Sequence, residues 1–130
     1  MAIHREEDQA FEDVVLKDGR IVPKEVRCAI IVMEELCENL KPLRKTLNIT
    51  QEELAGQVGI SRQSVINYEA YDFYEDGYME KSILIALIAY FSLRPKSAIL
   101  LKSIGFYENP VVNSYGFTEK LCDFIITQVS

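Results

Sequence analysis

The side chains best suited to recognising a partner are Arg62, Gln63, Ser64 and Asn67, which fall within six residues of one another. Helical spacing turns Val65 and Tyr68 to one side of this segment and Arg62, Gln63, Ser64, Ile66 and Asn67 to the other. One guanidinium and two carboxamides on an outward face supply directed, paired hydrogen bonds, the chemistry of recognition rather than of bond making. No constellation for catalysis accompanies them. His4 is the only histidine, and Cys28, Cys37 and Cys122 match no CxxC pair. The carboxylates Glu34, Glu35 and Glu38 have no second acidic cluster or glycine-rich phosphate loop to work with. Neither an enzyme, a metal site nor a cofactor is expected.

The elements that must hold these side chains are written in capping residues. Thr50-Gln51-Glu52-Glu53 is a capping box, so a helix starts at Gln51. Ile49 and Leu54 stand at staple positions, and Gly59 suits the left-handed residue that ends this two-turn helix. Ser61 then caps a second helix from Arg62 to about Ala70, with Ile60 and Val65 repeating the staple. Leu54, Ala55, Val58, Ile60, Val65 and Tyr68 form the inward set. Two short helices joined by Gly59-Ile60-Ser61 describe a helix-turn-helix, whose second helix can enter a major groove.

Around this motif the chain reads as an all-α protein. Its 130 residues are 48% hydrophobic and 26% charged, enough for one domain with a true core. Val14 to Val22 places Asp18-Gly19 between β-branched runs and predicts a small N-terminal hairpin. Val26, Ala29, Ile30, Met33, Leu36 and Cys37 recur at helical spacing after Pro23. Asn39 is the expected cap of the next helix, with Leu40, Leu43 and Leu47 on one stripe. Ile83 to Phe91 is apolar on all sides and suits a bundle centre or a subunit contact. Pro95 opens a further helix that Gly105 closes. A final helix from about Thr118 is expected to carry Leu121, Phe124, Ile125 and Val129 on one face. The division is an N-terminal extension (1–38), a helix-turn-helix domain (39–105) and a C-terminal helical extension (106–130). The longest apolar run falls far short of the ~20 residues of a membrane span. Arg5-Glu6-Glu7-Asp8 lacks the layout of a signal peptide, and the cysteine spacing suits a reducing compartment, so a cytoplasmic location is expected.

The motif also resembles a family, the Cro/C1-type (XRE-type) helix-turn-helix regulators of bacteria and phages. The resemblance runs through Leu40-Lys41-Pro42-Leu43-Arg44-Lys45, Ile49-Thr50-Gln51-Glu52-Glu53-Leu54-Ala55 and Val58-Gly59-Ile60-Ser61-Arg62-Gln63-Ser64-Val65-Ile66-Asn67-Tyr68-Glu69. It implies a lambda-repressor-like bundle that binds double-stranded DNA and regulates transcription. Arg62, Gln63 and Asn67 match the base-reading positions, and Arg pairs well with guanine while Gln and Asn pair with adenine. Gln51 matches a phosphate-contacting glutamine and Ser61 the recognition-helix cap. With Ser64, Lys41, Arg44 and Lys45 they make the set expected on the DNA backbone. Arg44 also matches a helix-1 arginine that the family often ties to the residue at Glu69.

A second reading comes from charge. The chain carries 14 Lys+Arg against 20 Asp+Glu, a net charge of −6. The excess lies in residues 1–20 and in the acidic, aromatic stretch 71–80, where the family usually has a glycine and then a basic or proline-bearing loop. The alternative is therefore a protein-interaction module that keeps the fold with weak or no DNA binding, its partner or effector engaging the 72–80 loop or the termini. On the DNA reading a homodimer is expected, because a ~14 Å helix reads few base pairs and a second copy one turn (~34 Å) away supplies the rest. The N-terminal and final helices are the expected dimer surfaces.

Overall fold

A computed structural model describes residues 14–15, 21–22, 24–70 and 79–128. Its helices are α1 (Lys24–Glu38), α2 (Leu40–Thr46), α3 (Gln51–Val58), α4 (Arg62–Ala70), α5 (Lys81–Ser92), α6 (Pro95–Ser103), α7 (Pro110–Ser114) and α8 (Glu119–Thr127), with a 3-10 turn at Phe106–Glu108. The architecture of the described residues is helical. Val14–Val15 pairs antiparallel with Ile21–Val22, but two residues a side make no sheet layer. The turn of the expected hairpin, Asp18-Gly19, lies outside the described residues, as does the 71–78 loop.

One core joins elements from α1 to α8. Val32, Leu36, Leu40, Leu43, Leu54, Val65, Leu84, Leu87, Ile88, Phe91, Ala98, Leu101, Phe106 and Val112 are fully buried in it, with Cys122 1% exposed. α5 buries one stripe, Leu84, Leu87, Ile88 and Phe91 at i, i+3, i+4 and i+7, while Ile83, Ile85, Ala86, Ala89 and Tyr90 stay half-buried although the sequence is apolar all round. Burying four such side chains contributes about 1.5–3 kcal/mol each before entropy is subtracted.

The chain then turns sharply. α5 and α6 meet at 107° because Pro95 opens the new helix and Arg94, extended at φ −112° and ψ 119°, breaks the old one. The buried Ser97 hydroxyl donates to the Phe91 carbonyl at 2.6 Å, satisfying one of the carbonyls that α5 leaves unpaired. Outside the corner, the Arg94 guanidinium lies 3.5 Å from the Tyr90 ring centre and donates to the Tyr90 carbonyl at 2.7 Å. No single described helix is long and apolar enough to cross a membrane.

One expectation changes here. Asn39 does not cap α2 with its side chain; its amide donates instead to the Glu35 carbonyl at 2.8 Å and closes the end of α1. α8 does not turn its Leu121–Phe124 face into the core. Leu121 and Phe124 are 37% and 58% exposed, while Cys122 is buried and Ile126 packs against the core. α8 is apolar on two adjacent stripes, and the small Cys122 lets it lie close to α6, its thiol 3.5 Å from the Ala98 carbonyl. Val129 lies outside the described residues.

Candidate nucleic-acid interface

The helix pair is built from local chemistry. The Thr50 hydroxyl accepts from the Glu53 amide at 3.0 Å and the Glu53 carboxylate accepts from the Thr50 amide at 3.2 Å, so both halves of the capping box form. Gly59 closes α3 at φ +82°, and the Gly59 and Ile60 amides both reach the Ala55 carbonyl, at 2.9 and 3.0 Å. At α4 the Ser61 hydroxyl accepts from the Ser64 amide at 3.0 Å and shares a 2.9 Å hydrogen bond with the Ser64 hydroxyl.

The inner side of α4 is fixed by one carboxylate. Glu69 Oε1 accepts from Arg44 Nε at 3.2 Å and Nη2 at 2.9 Å, while Oε2 accepts from Gln51 Nε2 at 3.0 Å. Arg44 Nη1 donates to the Ile49 carbonyl at 2.9 Å. The Arg44 and Glu69 side chains are only 13% and 6% exposed. This knot ties α2, α3 and α4 together, so that the orientation of α4 is set by a charged, nearly dry contact beside the apolar anchor Val65. Tyr68 packs partly against the same core, and burial pushes its hydroxyl pKa up, helped by Cys37 and Glu80.

The outer side of α4 carries the sequence-predicted recognition set. Arg62 and Gln63 are exposed, and Ser64, Ile66 and Asn67 are half-buried. Gln63 Nε2 donates to Asn67 Oδ1 at 2.9 Å, and Arg62 has no hydrogen-bond or ion-pair partner among the described residues. A groove of about 480 Å³ opens between the starts of α3 and α4, lined by Arg44, Asn48, Ile49, Thr50, Gln51, Glu52 and Arg62. Three of the sequence-predicted residues, Arg44, Gln51 and Arg62, thus meet around one groove. Lys41 and Lys45 are exposed on α2 and do not line it. Sequence reasoning passed over Asn48, which sits at φ +53° just past α2; an asparagine following a helix is a known signal for that left-handed position.

A family model described as Helix-turn-helix matches residues 40–71, the span from the start of α2 to the residue after α4. Residues 40–71 are a helix-turn-helix of the Cro/C1 type. The matched segment takes up about a quarter of the 130-residue chain. Neither a curated protein nor a solved structure gives a significant match to the chain. Its α1 and α5–α8 lie outside the matched segment, yet α1 and α5 pack directly against α4 and α3 respectively.

Proposed function

We propose that this chain is a sequence-specific double-stranded DNA-binding transcriptional regulator that places α4 in a major groove and works as a homodimer. The observation that carries this reading is the two-sided character of α4: Glu69 is locked inward on Arg44 and Gln51, while Arg62, Gln63 and Asn67 face outward. A rigidly held helix with planar donors and acceptors on its free side is what base-edge reading requires. On this reading Arg62, Gln63 and Asn67 contact bases. Ser61, Ser64, Lys41 and Lys45 contact phosphates, and the groove between α3 and α4 seats a phosphate against Gln51. Arg44, largely covered, acts by positioning α4.

For the dimer surface, the part of α1 with described side chains places Val32, Met33, Leu36 and Cys37 in the core, whereas α8 leaves Phe124 58% and Leu121 37% exposed. α8 is therefore the surface we assign to self-association. The test is selection from a random double-stranded DNA pool with purified protein, read at several salt concentrations. Enrichment of a palindrome with steep salt dependence supports the proposal. No enrichment at low salt overturns it in favour of a protein-interaction module, the reading that the net charge of −6 supports.

A further inference from the structure

The hydrogen bond between Gln63 and Asn67 alters what each can offer a base. A primary amide has two N–H donors and one carbonyl acceptor. Gln63 Nε2 gives one N–H to Asn67 Oδ1 across 2.9 Å. Gln63 keeps its carbonyl and its second N–H, the full complement for adenine, whose N7 accepts and whose N6 amino group donates. Asn67 is left with both N–H donors free and one of the two lone pairs of its carbonyl engaged. That bias toward donation weakens its fit to adenine and favours the O6 and N7 of guanine or the O4 of thymine.

Resting on the DNA-reading proposal above, we infer that Gln63 and Asn67 read DNA as one coupled unit, Gln63 selecting adenine and Asn67 both orienting Gln63 and selecting an acceptor-bearing base, guanine or thymine. The spacing fits. Four residues of helix advance ~6 Å, and base pairs rise ~3.4 Å, so the two contacts fall on bases within about two steps in one half-site. Holding the Gln63 amide in place before DNA arrives also removes rotamer freedom that would otherwise be lost on binding. Arg62, bonded to neither residue, reads independently and provides the internal comparison.

The experiment is the same random-pool selection applied to the full chain and to Gln63→Ala, Asn67→Ala, the double variant, Asn67→Asp and Arg62→Ala, with melting temperatures measured for each. Asn67→Ala is expected to relax the preference at two positions, its own base and the adenine of Gln63, by roughly 10-fold or more. The double variant should be within about threefold of the weaker single variant, while Arg62→Ala combined with either should multiply. Asn67→Asp separates the two roles. The aspartate still accepts from Gln63 Nε2, so the adenine preference should survive, while the base read by residue 67 should switch toward cytosine, whose N4 donates. Loss of preference at a single position in Asn67→Ala, with effects that multiply, overturns the coupling and leaves DNA reading standing. Absence of any enriched sequence with the unaltered protein overturns both.

Discussion

Arg44 and Glu69, 25 residues apart, join two helices through hydrogen bonds of 2.9 and 3.2 Å with side chains only 13% and 6% exposed. Gln51 completes the contact from a third helix at 3.0 Å. The aliphatic core alone would leave α4 free to roll, since Val65 is its only fully buried residue. The carboxylate supplies the direction that one apolar anchor cannot.

Removing Glu69 should therefore destabilise more than a surface ion pair would suggest. Glu69→Ala leaves the guanidinium of Arg44 covered and unpaired and is expected to cost about 3 kcal/mol in urea unfolding. The double variant Arg44→Met with Glu69→Leu removes both charges and should lose less than Glu69→Ala alone. Strict additivity of the two single losses would show that the pair is not a coupled unit.

The phosphate contacts should be visible in salt dependence. Lys41 and Lys45 are exposed, so Lys41→Ala or Lys45→Ala should weaken binding to all DNA sequences alike and lower the slope of log affinity against log salt by about 1 each. Arg44→Met should change affinity through stability, leaving that slope within error of the unaltered protein. A slope unchanged by both lysine substitutions would place the DNA backbone elsewhere.

Much of this site was legible because the signals that build it are local. Thr50, Glu53, Gly59 and Ser61 act on residues within four positions of themselves, and α3 and α4 begin and end where those caps say. The orientation of α8 was not legible, because Leu121, Phe124 and Ile125 compete with Cys122 and Ile126 for the core, and the outcome depends on how closely α6 approaches. Asn39 had a carbonyl to serve on either side, and the one behind it, on Glu35, won. The 3-10 turn and α7 carried a readable signal that went unused: Asn109 caps α7 by accepting from the Val111 amide at 2.9 Å, with Pro110 in the first position. That Gln51 bonds to Glu69 lies beyond sequence reading altogether, since it depends on two helices meeting.

The α8 surface gives a direct test of assembly. Phe124 is 58% exposed, so Phe124→Glu should leave the melting temperature within a degree or two while shifting the protein toward monomer in sedimentation. Binding to a palindromic site should weaken at least 10-fold, and binding to an isolated half-site should not change. A variant that remains dimeric would move the interface away from α8.

Stability should fall in alkali, and part of the loss should be traceable to one thiol. Cys37 is 1% exposed, and burial pushes its pKa from 9.0 up to about 12. Below pH 9 the thiol keeps its proton in folded and unfolded chains alike, so it adds no pH dependence. Between pH 9 and 12 the unfolded chain releases this proton and the folded one holds it, which lowers the unfolding free energy by up to about 1.4 kcal/mol per pH unit. Tyr107 and Cys122, whose pKa values burial also raises, steepen the same limb. Cys37→Ala should be less stable at pH 7 through lost packing, yet show a shallower decline from pH 9 to 11 in urea titrations. A decline as steep as that of the unaltered protein would mean that Cys37 ionises freely in the folded state.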